Sequence, residues 1–148
     1  MFKNGKMKHI LDKLPYSKPF LFVDEILQIN ENGVEGSYTF DSNLDFYNGH
    51  FKNNPVTPGV ILVETMAQIG VVCLGIFLLK DAFDENTKIA FTSSEINYLK
   101  PVYPTEKVVV ISTKVYFRFG KLKCNVKMIN SSGAEVCNGT IAGMIITK

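Results

Sequence analysis

A long apolar run near the middle of the chain restricts most strongly what this sequence can fold into. Residues Val60–Leu79 have about the length that a helix needs to cross a bilayer. Glu64, Thr65 and Gln68 interrupt the first half of this run, and a carboxylate is costly to place in lipid. We therefore predict a helix that is apolar on nearly every side and is enclosed by protein rather than by a membrane.

The residues around this run predict a helix over Gly59–Lys80. Thr57 is a candidate N-cap, and Pro58 suits the first turn because its fixed φ matches helical geometry. Gly70 and Gly75 lie inside the helix, where glycine costs about 1 kcal/mol relative to alanine. We therefore expect another part of the chain to approach the helix closely at these two positions.

Six segments with strand character accompany this helix, two before it and four after it. Turn residues such as Gly, Asn and Pro separate them. The predicted strands are Phe20–Ile29, Val34–Phe40, Ile89–Leu99, Lys107–Arg118, Leu122–Ile129 and Ala134–Thr147. One buried helix among six strands indicates an α+β fold, in which an antiparallel sheet curves around a central helix. At 148 residues, the chain is expected to form one domain, 1–148.

The composition argues against several functional classes. The chain has 16 Lys+Arg residues and 14 Asp+Glu residues, and a net charge of +2 gives little reason to expect nucleic-acid binding. Cys73, Cys124 and Cys137 form no C-x-x-C pair, so they indicate neither a zinc site nor a redox pair, and they favour a reducing cytoplasm. Because the two histidines are far apart in sequence, we expect no metal and no cofactor.

Two side chains near the helix start could support acid–base chemistry. His50 lies in a loop rich in Asn, Gly and Pro, where a histidine is by itself more often exposed or bonded locally. Glu64 lies about 7.5 Å beyond Gly59 along the helix, and its apolar neighbours should raise its pKa. A carboxylate bonded to Gln68, four residues later on the same face, or paired with a lysine is the structural alternative. Together, such a histidine and carboxyl group would suit proton removal beside a carbonyl group, next to the positive end of a helix.

The spacing of these residues is more specific than the residues themselves. The run reads Gly49-His50-Phe51-x-x-x-Pro55-Val56-x-Pro58-Gly59-Val60-x-x-x-Glu64-x-Met66-Ala67-Gln68. It resembles the active-site signature of the (3R)-3-hydroxyacyl-acyl carrier protein dehydratases of fatty acid synthesis, a family of hotdog-fold enzymes. Two further segments also resemble the family: Leu14-Pro15-x-x-x-Pro19-Phe20-Leu21-x-Val23-Asp24 and Lys100-Pro101-Val102-x-Pro104. The resemblance therefore extends over nearly the whole chain. The branch that also isomerises the double bond carries Asp and Cys in place of Glu64 and Val60, so the resemblance is to the dehydratase-only type.

The resemblance implies a role for each main residue of the motif. His50 would remove a proton from C2, and Glu64 would protonate the departing 3-hydroxyl group, which gives a trans-2-enoyl thioester and water. The backbone N–H of Gly59 would polarise the thioester carbonyl, and Gln68 would orient Glu64. The substrate would be carried on acyl carrier protein. The family also implies a homodimer that shares its active sites between subunits, often assembled further as a trimer of dimers.

Departures from the family leave the substrate and the pathway open. Tyr16-Ser17 stands where many relatives have His-Arg, and Asn97, Tyr98 and Leu99 replace the basic residues usually found before Pro101. These changes leave the docking of the carrier protein and the preferred acyl chain length open. A specialised polyene or lipid pathway is an alternative to primary fatty acid synthesis. Because a fold does not fix a function, a hotdog acyl thioesterase and a non-catalytic acyl-binding subunit are the alternative functions.

Overall fold

The computed structural model describes residues 4–147. A short helix, α1 (Asn4–Asp12), precedes the sheet, and the central helix spans Gly59–Ala82. A 3-10 turn, Asp45–Asn48, lies in the loop before the central helix. The strands are β1 (Glu25–Asn30), β2 (Gly33–Thr39), β3 (Thr87–Tyr98), β4 (Lys107–Arg118), β5 (Lys121–Asn130) and β6 (Glu135–Thr147).

The six strands form one sheet in the order β1-β2-β4-β5-β6-β3, and every neighbouring pair is antiparallel. Along β4 and β5, buried and more exposed positions alternate, so one face of the sheet is covered. The central helix covers this face and contacts β1, β2, β4, β5 and β6. The predicted α+β architecture, an antiparallel sheet curved around a central helix, is confirmed.

The central helix is enclosed by the rest of the protein. With 24 residues and a mean hydropathy of 2.1, it is long and apolar enough to cross a membrane, but 72% of its most apolar window is buried inside the fold. Every residue from Thr65 to Ile76 is buried. Since burial of apolar surface stabilises a fold by about 25 cal/mol per Å², this helix is a major part of the core. The prediction of a helix surrounded by protein is confirmed.

The middle of the central helix has a different geometry from its ends. Two α-helical parts, Gly59–Ala67 and Leu74–Leu79, flank a π-helical segment, Gln68–Cys73. Within this segment, the hydroxyl group of Ser112 on β4 donates a hydrogen bond of 2.9 Å to the carbonyl oxygen of Gly70. A side chain of β4 thus bonds directly to the helix backbone within the π-helical segment.

Both helix glycines lie against the sheet, as predicted. A Cβ atom at Gly70 would lie 3.0 Å from the Cβ atom of Ser112, and one at Gly75 would lie 2.5 Å from Cδ1 of Ile89 on β3. These distances are shorter than ordinary van der Waals contacts between carbon atoms. Glycine therefore allows the helix to pack closely against β4 and β3.

The first strand is shorter than the sequence predicted. The predicted strand begins at Phe20, but β1 begins at Glu25. Two backbone groups before β1 bond to a side chain instead of a neighbouring strand: the N–H group of Phe22 and the carbonyl group of Phe20 both bond to Gln68 of the central helix. This long-range use of backbone groups explains why apolar residues typical of a strand lie outside the sheet.

We predict that the pairing of β6 with β3 depends on a glycine. A Cβ atom at Gly139 would overlap the backbone carbonyl oxygen of Glu95 on β3. Because overpacking typically costs 1–3 kcal/mol, Gly139→Ala should lower the free energy of unfolding by about that amount, as measured by chemical denaturation. Gly49→Ala is the control, since Gly49 has a φ of −115° and open space around it. Equal stability of the two variants would contradict this explanation.

Candidate active site

The carboxyl group predicted to act as an acid lies on the second turn of the central helix. Glu64 is half-buried, and burial raises its pKa above the ordinary value of 4.5, while a hydrogen bond from Gln68 partly offsets the shift. The ion pair found within residues 4–147 joins Lys8 to Asp12, so no lysine in that range neutralises Glu64. Glu64 is therefore bonded to Gln68, as the structural alternative expected, but its pKa is raised, as the acid–base hypothesis requires.

Gln68 uses its whole side-chain amide to hold Glu64 in place. Gln68 is fully buried, and its Oε1 atom accepts a 2.8 Å hydrogen bond from the N–H group of Phe22. Its Nε2 atom donates to the carbonyl oxygen of Phe20 at 3.1 Å and to Oε2 of Glu64 at 3.0 Å. Because a backbone N–H can only donate and a carbonyl can only accept, these backbone groups fix the amide orientation. The donor nitrogen therefore faces the carboxyl group.

His50 is held by its own loop in a form that can accept a proton. Its Nδ1 atom lies 2.9 Å from the carbonyl oxygen of Val56, and the N–H group of Val56 donates to the carbonyl oxygen of His50. Since a carbonyl oxygen can only accept, Nδ1 carries the hydrogen, and Nε2 of the neutral ring keeps a lone pair. The ring stacks on Phe51, with 3.8 Å between the two centroids. The half-buried imidazole is thus held with Nδ1 toward its own loop.

The start of the central helix differs in one detail from the prediction. The N-cap position is Pro58, not Thr57, and no side chain caps the helix. The hydroxyl group of Thr57 instead bonds to the hydroxyl group of Tyr47 at 2.5 Å, which ties the loop to the 3-10 turn. The first N–H groups of a helix have no acceptor inside it, so the N–H of Gly59 can bind an oxygen atom from outside. A Cβ atom at Gly59 would lie 3.0 Å from the ring of Tyr98, which explains the glycine.

The structure brings three of the four predicted site residues onto one element. Gly59, Glu64 and Gln68 all lie on the first part of the central helix, and His50 is connected to the helix start through Val56. Within residues 4–147 no hydrogen bond or ring contact joins His50 to Glu64. One chain therefore holds His50 and Glu64 by separate hydrogen bonds to Val56 and Gln68.

A further residue at this site, Tyr16, was noted in the sequence only as a departure from the family. Burial, and to a smaller extent the charge of Glu64, raise the pKa of Tyr16 to about 12. The ring of Tyr16 contacts Phe20, whose carbonyl group bonds to Gln68, with 6.4 Å between the ring centroids. A neutral phenol therefore lies near the carboxyl group of Glu64. The replacement of the family's His by Tyr16 was the only sequence signal for this residue.

The antiparallel sheet wrapped around one long helix defines a hotdog protein. The chain belongs to the FabA-like domain family, which matches residues 14–143. One relative, the 3-hydroxyacyl-acyl carrier protein dehydratase FabZ of Caldicellulosiruptor bescii, is 35% identical over 133 residues, which cover 89% of this chain and 92% of the relative. The resemblance seen in the motif therefore extends over most of both sequences.

Solved structures share the fold at low sequence identity. The dehydratase heterocomplex ApeI:P from Xenorhabdus doucetiae has a TM-score of 0.79 at 12% identity, over 94% of this chain and 91% of that chain. A hypothetical thioesterase from Streptococcus pneumoniae, solved with coenzyme A, has a TM-score of 0.61 at 16% identity, over 84% and 86%. The predicted hotdog fold is confirmed, and the presence of both activities among these structures shows that the fold alone does not select one of them.

We predict that Glu64→Gln stabilises the folded protein at neutral pH. The pKa of Glu64 is raised in the folded state, so its contribution to stability is complete below the unfolded-state pKa and is lost as pH rises through the folded-state pKa. The variant should therefore unfold at higher denaturant concentration than wild type at about pH 8, with the difference disappearing below about pH 4.5. Glu31→Gln, at an exposed turn, controls for the loss of one negative charge. A difference in stability between the variant and wild type that is no larger at about pH 8 than at low pH would contradict the prediction.

Proposed function

We propose that this protein is a hydro-lyase that converts (3R)-3-hydroxyacyl chains on acyl carrier protein to the trans-2-enoyl product and water, in fatty acid or related lipid synthesis. The observation that carries the proposal is the half-buried Glu64, held by Gln68 with a raised pKa, together with the free Nε2 of His50. The FabZ name of the relative supports the same reaction. The proposal places one catalytic domain, 1–148, in the cytoplasm.

In the proposed reaction, His50 and Glu64 move one proton each. The Nε2 atom of His50 takes the proton from C2, and the electron pair of the C2–H bond forms the C2=C3 double bond. The C3–O bond breaks, and Glu64 gives its proton to the departing hydroxyl group, which leaves as water. Proton transfer from the imidazolium to the carboxylate then restores the starting state. Burial of Glu64 supports its role because an acid must hold its proton near neutral pH.

The helix start stabilises the charge that develops in this step. As C2 loses its proton, negative charge builds on the thioester oxygen. The N–H group of Gly59 lies at the positive end of the central helix, and no side chain caps that end. A donor placed in this way typically contributes about 10²–10³ in rate. Gln68 acts as a positioning residue, since it binds Oε2 of Glu64 and leaves the other carboxyl oxygen for the substrate.

We infer that the complete site forms between two copies of the chain. Two observations support a homodimer: no hydrogen bond joins His50 to Glu64 within residues 4–147, and β3 is an edge strand whose residues 90–95 are exposed on both faces. An open, exposed edge is a ready surface for pairing with a second strand. Val60, at the helix start, is 73% exposed, which is high for an apolar residue beside the site. In the proposed dimer, His50 faces Glu64 of the partner subunit.

We predict that the purified protein forms an enoyl thioester from a 3-hydroxyacyl thioester, which ultraviolet absorbance detects. His50→Ala and Glu64→Gln should each lower kcat by about 10²–10⁴, the usual contribution of one acid or base. His9→Ala and Glu31→Gln, at exposed positions, are the matched controls and should keep wild-type turnover. Release of free thiol without enoyl product would favour a thioesterase. Unchanged lipid synthesis in cells carrying His50→Ala would favour a non-catalytic subunit.

We predict that the two inactive variants complement each other when mixed. If His50 of one subunit acts with Glu64 of its partner, a dimer of one His50→Ala chain and one Glu64→Gln chain contains one intact site. Random reassociation after unfolding should then restore about a quarter of wild-type activity, since about half of the dimers are mixed and each has one of two sites. Each variant refolded alone is the control. No recovery, with mixed dimers present by mass spectrometry, would place both groups in one chain.

A further inference from the structure

The turn between β4 and β5 exposes an aromatic side chain in an unfavourable backbone conformation. Phe119 is 95% exposed, with a φ of 52°, and Gly120 follows with a φ of 75°. Two residues with positive φ are typical of a type I′ turn, which favours Asn, Asp and Gly. A bulky residue with positive φ is an outlier, and so exposed a ring gains almost no stability from burial. The fold itself therefore gives no reason for a phenylalanine at this position.

The two strands that meet at this turn carry only positive charge. No Asp or Glu occurs between Glu106 and Glu135, whereas β4 and β5 contain six basic residues, Lys107, Lys114, Arg118, Lys121, Lys123 and Lys127. Arg118 and Lys121 are directly opposite each other, which is unfavourable for like charges. The guanidinium group of Arg118 lies 4.2 Å from the ring centroid of Tyr116. Neither residue forms an ion pair within residues 4–147.

This region, which we call the hairpin tip (residues 116–123), lies far from the candidate active site. Leu122 is next to Gly75 on the central helix, since its Cδ2 atom lies 3.8 Å from the position of a Cβ atom at Gly75. Along the helix, Gly75 is about 24 Å from Gly59, about 16 Å from Glu64 and about 11 Å from Gln68. A ligand at the hairpin tip would therefore bind without blocking the acid–base groups.

We propose that the hairpin tip docks on a bilayer that contains anionic phospholipids. Phe119 inserts among the headgroups, and Arg118 and Lys121 bind the lipid phosphates. Basic residues beside an exposed aromatic ring are the chemistry that binds such a surface. A lipid surface fits better than a protein because the apolar part is one protruding ring flanked by Arg118 and Lys121, whereas a protein interface centres on a broader apolar patch.

Vesicle sedimentation tests this proposal with the full-length protein. Wild type should bind vesicles of phosphatidylglycerol and phosphatidylcholine at low salt, and much less at high salt or with phosphatidylcholine alone. Phe119→Asn, which suits the left-handed turn and should fold normally, and Arg118→Gln with Lys121→Gln should each weaken binding about tenfold or more. The double variant Lys107→Gln with Lys127→Gln removes the same charge from exposed positions farther along these two strands and should change binding by less than about threefold.

Several outcomes would overturn the lipid proposal. Equal binding to neutral vesicles, wild-type binding by Phe119→Asn, or the same loss in both double variants would show that the hairpin tip is not a specific lipid contact. Retention on polyglutamate without binding to anionic vesicles would assign the surface to an acidic protein instead. Dehydration activity, measured without vesicles, should be unchanged in all of these variants because the substituted residues lie away from the acid–base groups.

Discussion

The buried amide of Gln68 connects the fold to the candidate site. It binds the backbone of Phe20 and Phe22 on one side and the carboxyl group of Glu64 on the other. These three bonds need one acceptor and two donor hydrogens at a single position, and only an amide side chain supplies that set. A glutamate would lack the donors, and an apolar residue would leave buried backbone groups unpaired at about 1–3 kcal/mol each. Gln68 therefore both satisfies backbone groups of the fold and holds the carboxyl group of Glu64.

Two opposing effects determine the protonation of Glu64. Burial favours the neutral carboxyl group, and the donor hydrogen of Gln68 favours the charged one, with burial the larger effect. Tyr16 adds no positive charge, since its phenol stays neutral far above physiological pH. A lysine in that place would lower the pKa of Glu64 and weaken its ability to hold a proton. The surroundings of the carboxyl group thus favour an acid, although keeping a carboxyl group there reduces the stability of the folded protein at neutral pH.

Local patterns predicted the elements of the fold better than their exact limits. The bounds of β4 were predicted correctly because its alternation and its flanking turn residues are local signals. The start of β1 was not, because the bonds of Phe20 and Phe22 go to Gln68, more than forty residues away in sequence. Thr57 is a typical N-cap by residue type, but its hydroxyl group has a partner in Tyr47 that only the folded loop provides. The π-helical segment was also not predictable, since Ser112, whose hydroxyl group bonds to a carbonyl oxygen of this segment, lies on a distant strand.

The same difference between local signals and long-range contacts applies to the site. The motif in the sequence predicted which residues would carry the chemistry, and the geometry of one chain shows how two of them are held: Val56 fixes the tautomer of His50, and Gln68 fixes the direction of Glu64. On the proposed function, one chain does not determine the distance from its His50 to Glu64 of the partner subunit. That distance is fixed when the β3 edges of two copies pair, because Ile89 of β3 packs closely against Gly75 of its own central helix. Association would then complete a site whose two halves are already oriented, and little further rearrangement would be required for catalysis.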